Sequence, residues 1–319
     1  MPAHFLLTAR ARTLSLVQIA RMGDDEAHDM FRQMRWPETH GEPVCPRCQC
    51  GACYVYAVRR LFKCKACAHQ FTVTSGTIFA SRKLPVQTYL LAIAIFVNAV
   101  KGVSALQLGR DLDVQYKTAF VLAHKLRETM AANQNGMAKG QVEIDGCHVG
   151  GSIRQENRKE DRIDRRLAEN QTGKRRVVVV MRERQGRTLP FVVRSEDEAV
   201  DTIRRRVQPG STVYADEASA WDALHARYAM KRINHSFAFS DEGACTNQAE
   251  SFFSRLRRAE WGQHHRISGH YLHFYAGEMA WREDMRRVDN GNQLRRVGMG
   301  ALAFGKSRNW TGYLQRAAA

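Results

Sequence analysis

Between residues 12 and 40 apolar side chains recur at helical spacing, with Leu16, Ile19 and Ala20 on one face and Ala27, Met30, Phe31 and Met34 on another. The spacing predicts two short helices hinged near Gly23, after which Pro37, Gly41 and Pro43 break the pattern. From Leu84 to Met130 the chain reads as helical, and the run Tyr89–Val100, apolar nearly all round, suits a buried helix. Residues 102–129 have a helix-turn-helix rhythm: a short helix from Gly102, a turn at Asp111–Asp113 and a second helix over 114–129. That arrangement would offer Gln115, Lys117, His124 and Lys125 to DNA, although two amphipathic helices packed for stability alone show the same pattern. From Gln141 the rhythm changes to strands, predicted at 141–149, 175–184 and 188–194. A helix at 197–208, a strand at 211–216, a helix at 221–228, a strand at 231–236 and a long helix from Asn247 follow. Early hairpins followed by alternation predict an α/β fold, a mixed sheet with helices on both faces. Residues 152–176, inside the first hairpin, carry nine basic and five acidic side chains without an apolar period, which predicts a mobile basic insertion.

Composition adds a partner class. The 319 residues suffice for two or three domains at ~100–200 residues each, and 44% apolar residues can form a core. The charge is unusual: 49 basic minus 32 acidic residues leaves +17, the footprint of a protein that meets a polyanion, most often nucleic acid. The start of the chain lacks the apolar stretch of a signal peptide, and the most apolar run, twelve residues including Asn98, falls short of the ~20 that span a bilayer. The expectation is a soluble cytoplasmic protein, associated with the nucleoid and without a membrane partner. In that compartment eight cysteines stay reduced, and their clustering points to metal.

Cys45-Pro-Arg-Cys48 and Cys64-Lys-Ala-Cys67 are separated by the fifteen residues 49–63, a spacing suited to a structural zinc site. Cys50-Gly-Ala-Cys53 is a second C-x2-C in the same loop; Cys45 and Cys48 are preferred for their distance to the second pair and for Pro46 in the turn. Arg47, Arg59, Arg60, Lys63 and Lys65 around the site suggest that the ribbon touches DNA phosphates.

Three carboxylates raise a different chemistry. Asp145 stands in mid-strand, where an acid makes no cap; Asp216 ends a later strand; Glu250 opens the long helix. Converged, they would stay ionised only with cations present, and two hard divalent ions of the kind that cleave phosphodiesters would meet that need. Magnesium fits oxygen-only ligands. Each acid also has a plainer reading: Asn247-x-x-Glu250 as a capping box, Asp216 as the cap of a turn with Asp222 or Glu217 the ligand in its place. His264, His265, His270 and His273 fit DNA contacts or packing better than a metal, Phe252, Leu256 and Ala259 fit core positions, and Cys147 and Cys245 fit buried thiols.

The order V-E-I-D at Asp145, V-Y-A-D-E at Asp216 and N-x-x-E-x-F-F-S-x-L-R-R at Glu250 resembles the DDE motif of bacterial insertion-sequence transposases, and 250 minus 216 gives 34, close to that family's usual second interval. R-W-P at 35–37, C-P-x-C, F-x-C-x-x-C, V-G-G after the first Asp and G-x-H-H-x-x-S…Y-x-x-E-x-x-W-R over 262–282 resemble the ISXO-type subgroup, in which a zinc ribbon precedes a ribonuclease-H-like domain. The resemblance covers nearly the whole chain. It implies that Asp145, Asp216 and Glu250 are catalytic and hold Mg2+ or Mn2+, that Cys45, Cys48, Cys64 and Cys67 hold Zn2+, and that Arg257, on the helix face of Glu250, binds the transposon end with Arg258 beside it. Asn247 stays a possible participant, since related elements vary at the third acid. Gly146 and Cys147-His148 depart from an acidic residue and Thr-Tyr in relatives, and Arg282-Glu-Asp284 departs from R-x-N.

The domains expected are an N-terminal helical segment (1–40), a zinc ribbon (41–80), a helix-turn-helix-like segment (84–135), a ribonuclease-H-like domain (140–290) and a C-terminal tail (291–319). The implied function is a transposase that cuts double-stranded DNA at the inverted repeats of its element and joins it to target DNA, as a homodimer or higher oligomer. A structure-selective nuclease and a non-enzymatic zinc-ribbon regulator are the alternatives; inverted repeats with short direct duplications around the gene would favour transposition.

Overall fold

A computed structural model describes residues 4–132, 134, 136–151, 156–164, 170, 173–234 and 245–313. The chain divides into two compact units, Met1–Met130 with Met285–Ala319, and Ala131–Asp284.

In the first unit, Ser15 and Gln18 close a capping box on α1 (Leu16–Ala20), and Gly23 separates it from α2 (Asp24–Arg35), as the periodicity predicts. Helix α2 carries Asp24, Asp25 and Glu26 in its first turn and Arg32 and Arg35 in its last, the charge order that its dipole favours. A three-stranded antiparallel sheet follows, β1 (Cys53–Tyr56), β2 (Leu61–Cys64) and β3 (Gln70–Phe71), in that order. Trp36 stands edge-on to Phe62 and Phe71, with centroids 5.5 and 6.3 Å away, and Arg35 donates to the carbonyls of Val73 and Ser75. These contacts give a small sheet an apolar inner face beside α2.

Three helices come next: α3 (Val86–Asn98), buried along most of its length, α4 (Ala105–Asp111), capped by Ser104, and α5 (Tyr116–Ala132). The helix-turn-helix rhythm is present, but one expected contact is not available. His124 is fully buried with its ring 4.3 Å from that of Trp310, so it packs the unit and does not face DNA. Within the segment 291–319, expected as a tail, lies most of α9 (Asn290–Ala303), which packs on α2 and α3.

The second unit is a five-stranded sheet of β4 (Gln141–Val149), β5 (Arg176–Glu183), β6 (Thr188–Val193), β7 (Thr212–Asp216) and β8 (Ala229–Ile233), in the order β6-β5-β4-β7-β8. Strands β4, β5 and β6 pair antiparallel, and β4, β7 and β8 pair parallel. This is the mixed, ribonuclease-H-like sheet expected. Val142, Ile144, Val177 and Val179 face α6 (Ala199–Arg206) and Trp221 on one side. Cys147, Val149, Val178 and Val180 face α7 (Asn247–Ala259) and α8 (Leu272–Asp284) on the other. Burial on both faces explains the unbroken valine run of β5. Gly150 and Gly151, at φ +75° and +67°, end β4 in the left-handed region, and a Cβ on Gly151 would meet the backbone nitrogen of Arg175 at 2.9 Å.

Two boundaries depart from expectation. Residues 219–224 form a 3-10 helix, where an α-helix at 221–228 was expected, because the Trp221 side chain is tied back to Asp216. Strand β8 accordingly runs over Ala229–Ile233, earlier than 231–236. The basic insertion lies partly outside the described residues, of which 156–164, 170 and 173–176 belong to it. Among the described residues no helix is long and apolar enough to cross a membrane.

Candidate active site and metal centre

The four cysteines favoured from spacing come together. Among the described residues they form the group whose ligand atoms all lie within 4.8 Å of one another, with Cys45–Cys67 and Cys48–Cys64 sulfurs 3.6 and 3.5 Å apart. A tetrahedral zinc with bonds of about 2.3 Å sets sulfurs about 3.8 Å apart, so the arrangement fits that ion. The tight turns that present the thiols are visible in the backbone: Gln49 N–H donates to the Cys45 carbonyl and Ala68 N–H to that of Cys64. The Cys67 N–H aimed at the Cys64 sulfur leads the effects that hold this thiol down to about 6, close to the thiolate a metal needs. Cys50 and Cys53 stand outside the group; Cys53 instead pairs with Cys64 across β1 and β2.

The acids are positioned by the sheet. Ile144 pairs with Ala215 across the parallel strands, so Asp145 and Asp216, one residue further along each, stand side by side. Both lie on the α7 side of the sheet, opposite the face that Ile144 and Ala215 bury. Burial pushes the Asp145 carboxyl up to about 7; Asp216 adds to the rise, Glu250 and Glu196 contribute less, and the Gly146 N–H opposes it. One carboxyl therefore feels three other acids brought from β7, from α7 and from the segment before α6.

Asp216 has a structural duty as well: its Oδ1 accepts from Trp221 Nε1 at 2.9 Å and from Ala218 N–H at 3.2 Å, so it caps the turn as its plainer reading held. Asp222 is taken by Arg232 at 2.9 Å, and the same guanidinium donates to the carbonyls of Asp216 and Ala218. Glu250 is exposed in the first turn of α7, whose N-cap Thr246 makes no side-chain capping bond, so the plainer reading of Asn247 and Glu250 as a capping box does not hold; the Thr246 hydroxyl instead donates to Glu250 Oε1 at 3.5 Å.

The cap comes from elsewhere. Glu143, fully buried and two residues before Asp145 on the same face of β4, accepts from the backbone N–H groups of Gln248 at 2.8 Å and Ala249 at 3.1 Å. Arg184 Nε lies 2.9 Å from its other oxygen. A carboxylate at the positive end of the helix, paired with an arginine, fixes where α7 begins and hence where Glu250 stands. Sequence reasoning passed over Glu143, although a second mid-strand acid in V-E-I-D was visible. It also passed over Glu196, whose carboxylate a Cβ on Gly146 would run into. Glu196 thus fills the space that a side chain at 146 would need, and burial first, then Asp216, raises its carboxyl.

Arg257 and Arg258 are exposed on α7, with Arg258 donating to Ser254 Oγ. The Arg257 side chain also reaches the Cys147 thiol, whose rise is set first by burial and opposed by this guanidinium. Lys117 is exposed on α5, and Lys125 is half-buried, its ammonium lowered by desolvation. Cys147 is buried as expected; Cys245 is only half-buried and accepts from Arg184. The four histidines of 264–273 form no metal-holding group among the described residues; His264 lies edge-on to Tyr275 and His273 against Phe274. Phe252, Leu256 and Ala259 are core. Asp284, in place of a family asparagine, accepts from Thr188 and pairs with Arg182, tying α8 to the edge strand β6.

Comparison with known proteins agrees with this layout. Residues 137–284 match the ISXO2-like transposase domain, and residues 22–70 match the transposase zinc-ribbon domain. A protein in transposable element ISH50 of Halobacterium salinarum is 24% identical over 258 residues, which is 77% of this chain and 85% of that protein.

Proposed function

We propose that this chain, whose residues 137–284 match the ISXO2-like transposase domain and 22–70 the transposase zinc-ribbon domain, is a transposase that cleaves double-stranded DNA at the terminal inverted repeats of its own element and joins the ends to target DNA. Asp145, Asp216 and Glu250 are the residues that would hold magnesium or manganese. The observation that carries this reading is the register that sets Asp145 beside Asp216 on β4 and β7; burial first and Asp216 second push the Asp145 carboxyl up to about 7, a crowding that a bound cation would relieve. The donors are oxygens alone, which suits a hard divalent ion. When bound, that ion supplies Lewis-acid stabilisation of the charge that builds on a phosphodiester during hydrolysis and transfer.

The protein's own groups set the geometry. Trp221 and the Ala218 N–H hold the Asp216 carboxylate, the Gly146 N–H holds that of Asp145 at 2.7 Å, and Glu143 sets the origin of α7. In the first step water attacks the phosphorus at the element's end and the bond to the 3′-oxygen breaks, leaving a 3′-hydroxyl. In the second, that hydroxyl attacks a target phosphodiester and displaces its 3′-oxygen, conserving the number of phosphodiester bonds. Arg257 and Arg258 hold the end of the element, Lys117 and Lys125 contact the flanking duplex, and two copies bring two ends together.

The test is incubation of the purified protein and magnesium with labelled DNA carrying the flanks of its gene, beside Asp145→Ala, Asp216→Ala and Glu250→Ala. End-specific nicks and joined products that vanish in all three variants are expected. Sequence-specific binding without cleavage in any metal would overturn the reading in favour of a DNA-binding regulator.

A further inference from the structure

The β1–β2 hairpin combines bare apolar side chains with unopposed positive charge. Tyr54 is 54% exposed, Val55 54%, Tyr56 43% and Val58, at the tip, 100%. Scattered singly such residues are ordinary; Tyr54 and Tyr56 lie two apart on one face of β1, with Val58 beyond them at the tip and Val55 on the opposite face, and contiguous exposed apolar groups mark interaction sites. The register sorts them. Tyr54 pairs with Lys63, Lys63 with Gln70 and Tyr56 with Leu61, so these side chains share the outer face, while Phe62, Cys64 and Phe71 turn inward and are buried. The Lys65 ammonium sits 5.0 Å from the centre of the Tyr54 ring.

The charge carried by the hairpin itself is all of one sign, and the acids beside it, Asp24 and Asp25, face Arg60. No aspartate or glutamate occurs between Glu42 and Asp111, whereas Arg47, Arg59, Lys63 and Lys65 lie in and beside the hairpin. Arg60 is spent on the fold: it pairs with Asp25 at 2.8 Å and donates to the Asp24 carbonyl, anchoring the hairpin to α2. The partner must therefore be anionic at its rim and offer amphipathic or apolar surface between the anionic rows. Duplex DNA has that pattern, with phosphates flanking base edges and thymine methyl groups. A two-stranded ribbon fits the major groove, about 12 Å wide, and not the minor groove of about 6 Å.

We propose that the β1–β2 hairpin enters the major groove of duplex DNA, with Tyr54 and Tyr56 against base edges, Val58 leading at the tip, and Arg59, Lys63 and Lys65 on the phosphates on either side. The ribbon then supplies sequence discrimination as well as charge. This inference rests on the chain being a DNA-acting transposase, but not on its acid centre.

The test uses the full zinc-loaded chain and fluorescence anisotropy with two short duplexes, one taken from the flanks of its gene and one a scramble of the same composition. Tyr54→Ala with Tyr56→Ala should reduce the preference for the flank duplex roughly tenfold or more while leaving affinity for the scramble unchanged. Lys63→Gln should weaken both duplexes alike and lower the salt slope by about 1. The substituted tyrosines are exposed, and unchanged zinc content verifies the ribbon; Val58→Ser provides a second variant at a fully exposed site. Methylation of guanine N7, which projects into the major groove, should weaken binding of the flank duplex by wild type. Undiminished preference in the tyrosine variant, or indifference to N7 methylation, would overturn the proposal. So would a wild-type protein that cuts the flank DNA but binds both duplexes equally. Preference without cleavage would instead uphold the hairpin's role and remove the proposed chemistry.

Discussion

The cysteine cluster and the acid centre are both assembled from side chains that prefer not to be neighbours, yet the chain builds them in opposite ways. The cysteines come from two tight turns separated by one short hairpin, and the same backbone that brings them together supplies the Cys67 N–H that favours a thiolate at Cys64. The acids come from β4, β7 and α7, more than a hundred residues apart at the extremes; the sheet register sets Asp145 beside Asp216, and Glu143 fixes the start of the helix that carries Glu250. A local site depends on its ion for its fold. The proposed acid site has its fold already, and its crowded carboxylates would weaken that fold until a cation is bound.

The sharpest way to break this contrast is to remove metal. Structural zinc in small ribbons is worth about 10–16 kcal/mol, more than the segment's small apolar face can replace. Chelation, or Cys45→Ser, should therefore unfold the ribbon and open Arg59, Lys63 and Lys65 to trypsin, while the five-stranded sheet keeps its far-UV circular dichroism and protease resistance. A ribbon that stays protected at zero zinc content would mean that Trp36, Phe62 and Phe71 hold it without the ion. Removing magnesium should leave the sheet folded.

Next in size is the helix anchor. Glu143→Ala leaves Arg184 without its carboxylate and two N–H groups of α7 without an acceptor, in a place where nothing replaces them. Loss of one partner of a buried pair costs about 3–5 kcal/mol. Urea denaturation should show that loss, and magnesium-dependent cleavage should fall because Glu250 no longer has a fixed position. Wild-type stability in this variant would show that α7 is positioned by Phe252, Phe253 and Leu256 alone.

The third effect is a slope with pH. Asp145 titrates near 7 in the folded protein, from burial first and Asp216 second, against about 3.9 in an unfolded chain. The folded state thus holds its proton more tightly: the contribution is fully present below about pH 4 and is lost as pH rises through 7. At most about 4 kcal/mol follows from a shift of this size. Metal-free protein should accordingly become less stable from pH 4 to 7, magnesium should restore stability at pH 8, and Asp145→Asn should flatten the slope. A slope that survives in Asp145→Asn belongs to other acids, with Glu196 the first to examine.

The contrast also explains what could be read from the chain. C-x2-C pairs, the hinge at Gly23 and the early strands are local patterns, and spacing alone recovers them. Glu143 and Asp145 look identical in sequence, two acids on one face of one strand; only Arg184 and the start of α7 make the first a structural anchor, and the second is left for the proposed chemistry. Glu196 is invisible for the same reason, since its place over Gly146 depends on how β6 leads into α6. His124 shows the converse failure. On a helix buried along much of its length, position on the wheel does not say which polar side chain is exposed, and the Trp310 that covers it comes from the far end of the chain.

The smallest effect has the opposite sign and lies in the other unit. Asp289 caps α9, accepting from the Asn292 N–H at 3.0 Å and from the Thr13 hydroxyl, and these bonds, the Thr13 hydroxyl first, hold its carboxyl down at about 2. A depressed carboxyl stabilises the fold above the unfolded value of about 3.9, and that contribution is lost as pH falls through 2. Because the group is near the surface and screened, about 1 kcal/mol is a fair size, similar to that of an N-cap. Asn caps helices as well as Asp does, so Asp289→Asn removes the charge and keeps an acceptor. Urea midpoints of wild type and Asp289→Asn should differ at pH 6 and converge as pH approaches 2, while the Asp145 pair diverges between pH 4 and 7. Equal midpoints at pH 6 would mean that the acceptor alone, without its charge, anchors α9 to Thr13.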